Sequence, residues 1–333
     1  MKKPLTLVTI ILAELFFIAG CGKNTPVANQ IEQRKTDEVM TSTRFETYVD
    51  WWDSNWKRMI DTMPMQNGMA IDVAFDNWGQ PLDATKEQKI VEITKEIRSA
   101  AEQKNVSLSM KLSFGGGTYP MPILETLADA SNLANRIVSC LQHFKTDYGI
   151  DFDGIDLDVE SAKNNVTYVA DFIKILRKEL DLIGNPHKII SLTIPGQGWS
   201  GFYYNLATDS DVQLAIDCFE FMEYDFWQGA PTMQEQIEKD ILTYIGPKGA
   251  PSSNPPQKCW GIPASKVRVG LMPGNDGDGH NLSPEAALRL SQFAMAQGLN
   301  GVMIWNAFRD GERHTGQAPF AYTQDILHVL GSR

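Results

Sequence analysis

The chain has 333 residues, of which 43% are hydrophobic and 21% are charged, and its formal net charge at pH 7 is −11. This proportion of apolar residues is sufficient for a folded core, which excludes a wholly disordered chain. The negative charge excludes nucleic-acid binding by neutralisation of phosphates, because an acidic surface repels the phosphate backbone.

The N-terminal segment has the order of charged and apolar residues that is typical of a secretory signal. Two lysines precede the apolar run Leu5–Ala19, and Cys21 follows it after one glycine. The run is shorter than the ~20 residues that cross a bilayer, and Glu14 interrupts it. This pattern resembles a bacterial lipoprotein signal, and a buried N-terminal helix is the alternative. The resemblance implies a signal peptide over residues 1–20, lipidation of Cys21 and a polar spacer over residues 21–40.

A lipidated cysteine implies a location outside the cytoplasm. The protein would be attached to the outer membrane or cell surface by acyl chains and not by a spanning helix. The remaining cysteines, Cys140, Cys218 and Cys259, have neither disulfide-framework nor zinc-site spacing, and we interpret them as packing residues.

Beyond residue 40, short apolar runs alternate with segments of helical periodicity. The predicted strands are Phe45–Val49, Met69–Phe75, Val106–Ser113, Gly154–Val159, Ile189–Ile194, Cys218–Tyr224, Val267–Met272 and Gly301–Trp305. The predicted helices are Lys86–Gln103, Ala128–Lys145, Tyr168–Leu182, Met233–Tyr244 and Pro284–Gln297.

Eight strand–helix units in about 260 residues match the size of a closed (β/α)8 barrel, also called a TIM barrel. The alternative, an open doubly wound α/β sheet, requires a glycine-rich turn after its first strand, whereas residues 50–53 read DWWD. A single α/β barrel domain over residues 41–333 is therefore predicted. The long Pro/Gly-rich stretch Gly246–Gly261 is expected to be a functional loop.

Residues 151–160 read DFDGIDLDVE and contain a row of alternating acids. Because side chains alternate across a strand, Asp156, Asp158 and Glu160 share one face. In a barrel these acids would face the interior, Glu160 would reach the C-terminal rim, and at least one carboxyl would have a raised pKa. A solvated edge strand and a calcium loop are the alternatives. The apolar residues between the acids disfavour the first, and Asp156 stands where a calcium loop requires glycine.

Four short motifs connect this chain to a known family. Asp153–Glu160 resembles the DGxDxDxE signature of glycoside hydrolase family 18, which includes chitinases and endo-β-N-acetylglucosaminidases. Ser113–Gly116 resembles the family's SxGG motif, Met222–Asp225 resembles MxYD, and Trp305 ends the last predicted strand, where the family keeps a tryptophan under the bound sugar.

The resemblance implies a retaining reaction in which the acetamido group of the substrate acts as the nucleophile. Glu160 would protonate the glycosidic oxygen and then activate water. Asp158 would hold the acetamido N–H, Asp156 would share a proton with Asp158, and Tyr224 would hydrogen-bond the acetamido oxygen. The resemblance implies neither a metal nor another cofactor.

Further candidates come from the motifs and the strand ends. Lys111 shares the predicted inward face of the third strand with Ser113, where it would offset the charge of the acids unless the register is misread. The residues expected to bind substrate are Trp305, Asp225, Met222, Gln197, Trp227, Ser113 and Gly115.

The residues after the acid favour one substrate class. Many chitinases carry Trp-Glu-Tyr-Pro where residues 159–162 here read VESA. We therefore expect an endo-β-N-acetylglucosaminidase that cuts the GlcNAc-β-1,4-GlcNAc core of N-glycans, acting as a monomer on a GlcNAc-containing glycan or glycoprotein. A chitinase acting on chitooligosaccharides is one alternative. A catalytically silent glycan-binding barrel is another, since family membership does not guarantee turnover.

Overall fold

A computed structural model describes residues 44–331 except 82, 184–186, 197–200, 225–231, 252–257, 276–280 and 313–315. The predicted signal peptide, the spacer and Cys21 lie outside the described residues and stay predictions. Within the described ranges, no helix combines the length and apolarity needed to cross a bilayer.

Eight parallel strands form a closed barrel, which confirms the predicted (β/α)8 fold class. Each strand pairs with the next one along the chain, and the last pairs with the first. Every predicted strand is present, with ends that agree to within two residues. The strands are β1 (Phe45–Asp50), β2 (Met69–Asp76), β3 (Leu108–Gly115), β4 (Gly154–Asp158), β5 (Ile189–Pro195), β6 (Cys218–Met222), β7 (Val267–Leu271) and β8 (Gly301–Ile304).

The helices lie between the strands along the chain, and the five predicted helices are confirmed to within three residues at each end. The described helices are α1 (Trp56–Thr62), α2 (Ala84–Gln103), α3 (Leu127–Tyr148), α4 (Val166–Ile183), α5 (Gly201–Ala207), α6 (Ser210–Ala215), α7 (Met233–Ile245), α8 (Pro284–Ala296), α9 (Ala307–Gly311) and α10 (Ala321–Gly331).

The start of α8 illustrates how local sequence fixes an element. The Ser283 hydroxyl accepts a hydrogen bond from the Ala286 backbone N–H at 3.2 Å, and Pro284 occupies the first helical position. This cap satisfies a backbone donor that the helix cannot satisfy itself, and the proline φ is already helical.

The alternation in β4 separates two environments. Ile155 and Leu157 are fully buried in the main apolar cluster, together with Phe172 and Leu176 of α4. The acids between them point the other way, into the barrel. The apolar face therefore fixes the strand against its helices and leaves the interior face available for polar residues.

Helices α1, α5, α6, α9 and α10 were not predicted, and neither was a small antiparallel hairpin in which Gly274–Asn275 pair with Asn281–Leu282. Two of these helices, α5 and α6, lie between β5 and β6. In the predicted loop Gly246–Gly261, Pro251 and Lys258 form an isolated antiparallel bridge, and the residues between them lie outside the description.

Candidate active site

The row of acids occupies β4 and the residues just after it. Asp156 is completely buried, Asp158 is 4% exposed, and Glu160 lies two residues beyond the strand with an exposed side chain. Asp156 hydrogen-bonds to Tyr48 on β1, on the far side of the barrel, so the row faces the interior. The prediction that Glu160 reaches the C-terminal rim agrees with this placement.

Hydroxyl groups surround Asp156. Its Oδ2 accepts hydrogen bonds from Ser113 at 2.8 Å and from Tyr48 at 2.9 Å, and its Oδ1 accepts from Ser191 and Thr193, both at 2.8 Å. We call these four residues the hydroxyl cage. Four donors directed at one carboxyl stabilise its ionised form, because only a carboxylate can accept from all of them.

Asp158 has different surroundings. Its Oδ1 is buried and has no hydrogen-bond partner among the described residues. Burial and the nearby negative charges of Glu160 and Asp156 raise the pKa of Asp158 well above its ordinary value. One proton therefore belongs on Asp158 at neutral pH, as expected for like charges that share a dry site.

Glycines bring the end of β3 close to these acids. Gly115 has φ +110°, and a Cβ there would lie 2.2 Å from the backbone oxygen of Asp158. That oxygen accepts a hydrogen bond from the Gly116 N–H at 3.0 Å. At Gly117 a Cβ would lie 3.2 Å from Glu160 Oε2. The glycines that follow Ser113 therefore act through their backbone, since side chains at Gly115 and Gly117 would collide with the acids or crowd them.

The other motif residues meet at the same end of the barrel. Tyr224 is 5% exposed, and the Trp305 and Tyr48 rings contact edge to face with centroids 5.3 Å apart. Trp305 packs against a separate buried cluster that consists of Tyr48, Ala74, Met222, Tyr224, Met272 and Met303. The structure thus brings together Tyr224, Met222 and Trp305, as the motifs predicted.

Two of the predicted substrate-binding residues, Ser113 and Gly115, contact the acids themselves. Ser113 is buried and donates to Asp156, and Gly115 lies under the Asp158 backbone. Gln197, Asp225 and Trp227 lie outside the described residues, so their predicted roles stay predictions.

Sequence reasoning missed Tyr203. Its ring lies on α5, it is 2% exposed, and its hydroxyl is buried with no hydrogen-bond partner in the described part of the chain. Burial and the charges of Glu160 and Asp158 raise the pKa of Tyr203. Its hydroxyl is therefore available to the acids or to a substrate, but no motif marks it in the sequence.

The hydroxyl cage was also largely missed. Ser191 and Thr193 alternate with apolar residues in β5, which places both on the inward face. Tyr48 lies between Thr47 and Val49 in β1, and its hydroxyl reaches Asp156 inside the barrel. This alternation is a readable signal for an inward polar residue. It does not identify the partner, because the partner lies on another strand.

A second group of charges lies deeper in the barrel, toward the N-terminal ends of the strands. It consists of Glu46, Asp72, Lys111, Glu220 and Arg268, all at most 3% exposed, and we call it the barrel floor. Lys111 is thus inside the barrel, which settles the question of its register. Three floor carboxylates lie close enough to surround a cation, and the Lys111 ammonium already contacts all three, at 2.5, 3.2 and 3.5 Å.

The comparisons with known proteins agree with this geometry. Residues 47–257 match the family model described as Glycosyl hydrolases family 18. A closed parallel barrel with a row of acids at the C-terminal end of β4 is the arrangement that the four motifs predicted. The chain belongs to glycoside hydrolase family 18. A search of curated proteins found no match to the sequence.

Solved structures share the fold at low sequence identity. A chitinase from Chromobacterium violaceum is 13% identical with a TM-score of 0.53, and the alignment covers 87% of this chain and 100% of that one. The catalytic domain of a hyperthermophilic chitinase from Pyrococcus furiosus is 16% identical with a TM-score of 0.59, covering 87% and 95%. A chitinase-like agglutinin from Robinia pseudoacacia is 14% identical with a TM-score of 0.58, covering 86% and 99%. The fold thus occurs in chitinases and in a chitinase-like agglutinin.

Proposed function

We propose that the protein is a retaining endo-β-N-acetylglucosaminidase that hydrolyses the GlcNAc-β-1,4-GlcNAc core of N-glycans. The observation that carries this proposal is the row of three acids with three different environments. Asp156 is fixed by the hydroxyl cage, Asp158 is buried with an unpaired oxygen, and Glu160 is exposed at the rim. Different environments allow neighbouring carboxyls to take different roles.

In this proposal the acetamido oxygen of the substrate attacks the anomeric carbon while Glu160 protonates the departing glycosidic oxygen. The C–O bond to the leaving sugar breaks, and an oxazolinium ion forms. Asp158 accepts a hydrogen bond from the acetamido N–H. Tyr224 donates a hydrogen bond to the acetamido oxygen and orients it. Glu160 then removes a proton from water, which opens the oxazolinium and restores the acid. Correct positioning of an internal nucleophile is worth an effective concentration of ~10⁵ M or more.

The preference for N-glycans is supported by the residues that follow the acid. Glu160 is followed by the half-buried Ser161 and the exposed Ala162, which are small. Many chitinases carry the larger Tyr-Pro at these two positions. Small side chains beside the acid leave room for a branched glycan attached to a protein.

Glycan release from a glycoprotein tests the proposal. The protein is incubated with glycoproteins that carry high-mannose or complex N-glycans and, separately, with chitooligosaccharides, and products are identified by mass spectrometry. Release that leaves one GlcNAc on the protein is expected, with the β-anomer as the first product. Glu160→Gln is the matched control. Cleavage of chitooligosaccharides alone would instead establish a chitinase.

A silent glycan-binding barrel is the competing function of a different class, because the same fold occurs in a chitinase-like agglutinin. The presence of Glu160 at the end of the row favours turnover. Glycan binding by calorimetry without cleavage of any of these substrates would establish the silent barrel.

We also propose that the chain is anchored by lipid at Cys21, on the basis of the residue order in the N-terminal segment. Metabolic labelling with a radioactive fatty acid is expected to label the full-length protein in cells. Cys21→Ala is expected to remove the label and move the protein to the soluble fraction. A labelled Cys21→Ala protein would contradict the proposal.

A further inference from the structure

A chain of hydrogen bonds connects the barrel floor to the acids of the active site. The Lys111 ammonium, 1% exposed, donates to the Ser191 hydroxyl at 2.5 Å. That hydroxyl donates in turn to Asp156 Oδ1 at 2.8 Å. Because a serine hydroxyl has one hydrogen, this order fixes the direction of both bonds: ammonium to hydroxyl to carboxylate. The two links place the ammonium within about 5.3 Å of Asp156 Oδ1.

Several titratable groups of the described chain face Lys111 and Asp156 inside the barrel. They are Glu46 and Tyr48 on β1, Asp72 on β2, Asp158 on β4, Cys218 and Glu220 on β6, and Arg268 on β7. Strand β5 contributes the uncharged hydroxyls of Ser191 and Thr193. The charge on Asp156 depends on the charges of all these groups.

Protons neutralise part of the floor. Burial and the charge of Glu46 raise the pKa of Asp72 well above its ordinary value, and the same two causes raise the pKa of Glu220 to about 8. Burial alone would raise the pKa of Glu46, but the positive charges of Arg268 and Lys111 outweigh it and hold that pKa well below its ordinary value. Burial therefore favours the neutral, protonated forms of Asp72 and Glu220, whereas the neighbouring cations favour ionised Glu46.

Two cations and one ionised acid then remain on the barrel floor. Arg268 and Lys111 both contact Glu46, which balances only one of the two positive charges. Asp158 holds a proton, and the Cys218 thiol is neutral because burial raises its pKa. The only other anion beside Lys111 in the described interior is then Asp156. The ammonium and the hydroxyl cage thus act on the same carboxylate.

We infer that Lys111 is a positioning residue of the reaction: through the Ser191 hydroxyl it holds Asp156 as an anion, so that the single proton of the Asp156–Asp158 pair lies on Asp158. This inference rests on the proposed function for its catalytic meaning. With the proton on Asp158, that residue carries no competing charge beside Glu160 and keeps one oxygen to accept the acetamido N–H. The positive charge of Lys111 also opposes a second proton on the pair, which extends the reaction to lower pH.

The pH profile of kcat/KM tests the inference. Lys111→Met removes the positive charge and is expected to move the acidic limb of the profile to higher pH by about 1 to 2 units. This size corresponds to the loss of one unit charge about 5 Å from Asp156 in a partly polar interior. The alkaline limb, which belongs to Glu160, is expected to stay in place. A lower melting temperature with an unmoved acidic limb would show that Lys111 is merely structural and would overturn the inference.

A matched pair of variants keeps the test decisive if Lys111→Met does not fold. Ser191→Ala and Thr193→Val each remove one hydroxyl that donates to Asp156 Oδ1 at 2.8 Å, but only Ser191 contacts Lys111. Ser191→Ala is expected to move the acidic limb upward further than Thr193→Val does. Equal movement in both variants would overturn the inference.

A measurement without turnover separates this inference from the proposed function. Carboxyl ¹³C NMR of aspartate-labelled protein reports which carboxyl is protonated. At pH 6 the wild-type protein is expected to carry a proton on Asp158 and none on Asp156, and Lys111→Met is expected to take up a second proton. A proton on Asp156 in the wild type would overturn the inference. Failure to cleave any glycan would refute only the proposed function.

Discussion

The two charged regions inside the barrel differ in how their charges are compensated. On the floor, Glu46 and Glu220 contact Arg268, and Lys111 contacts both of these acids. At the C-terminal end, hydroxyl groups surround Asp156, and burial acts on Asp158. Buried charges are stable only when paired or protonated. This difference indicates that the charges of the barrel floor stabilise the barrel interior, whereas the acids at the C-terminal end stay reactive toward a substrate.

The largest effect is expected at the exposed end of the row. Glu160→Gln keeps the shape of the side chain and removes the acid, so kcat is expected to fall about 10³-fold, within the range for loss of a general acid. The melting temperature should change little because the side chain is exposed. Glycan-release kinetics and calorimetry measure the two quantities. Normal turnover in this variant would exclude Glu160 as the acid.

Asp158→Asn is expected to separate activity from stability. Turnover should fall about 10²-fold because an amide has no acidic proton to pass to Asp156 and so cannot become negative beside the oxazolinium ion. The raised pKa of Asp158 means that its ionised form destabilises the fold as the pH rises above the ordinary aspartate value. Thermal melting should therefore show a gain for the variant at pH 8 that shrinks at pH 4. A loss of stability at both pH values would contradict this interpretation.

Glu220 on the barrel floor should affect stability more than the reaction. The pKa of Glu220 is raised from 4.5 to about 8, so the folded state binds this proton more tightly than the unfolded state. Its contribution is complete below pH 4.5 and is lost as the pH rises to about 8. Glu220→Gln should flatten the fall in stability over this range and gain several kcal/mol at pH 8.5, since each pH unit between the two pKa values corresponds to about 1.4 kcal/mol. Urea unfolding at several pH values measures this; an unchanged slope would show that Glu220 does not hold the proton.

The smallest effect is expected at Gly117. A methyl group there would lie 3.2 Å from Glu160 Oε2, and the flexible carboxylate can move by a few tenths of an ångström to avoid it. Gly117→Ala should therefore fold normally and lower kcat only a few-fold, because small misplacements of a catalytic group are tolerated better than its loss. Steady-state kinetics with the Glu160→Gln variant as a reference would show the gradation. A loss of kcat as large as that of Glu160→Gln would mean that Gly117 does more than leave space for the Glu160 side chain.

Hydrophobic periodicity predicted most of the fold, because each strand has an apolar outer face that packs on helices. It missed α1, α5, α6 and α9, which have five to seven residues, since such short helices do not complete two turns of a recognisable pattern. It also missed α10, which has 11 residues. The third strand was placed two residues too early, at Val106 and not at Leu108, because an apolar residue before a strand looks like its first member.

The candidate site was only partly predictable. The row of acids is continuous in sequence, so alternation alone places Asp156 and Asp158 on one face. The partners of Asp156 come from other strands, and their sequence separations from it reach 108 residues in the case of Tyr48. Lys111 was recognised as a candidate, but only the closed barrel shows that its ammonium reaches Ser191.

The hydroxyl cage has a consequence for how the protein unfolds. It fastens β1, β3 and β5 to one carboxylate, so segments far apart in the chain must all be in place before it exists. If any one of these strands separated from its neighbours, the hydrogen bonds to Asp156 and the closed barrel would be lost together. Enzymatic competence and architectural integrity should then vanish at a common denaturant concentration, which would make glycan release a faithful reporter of refolding.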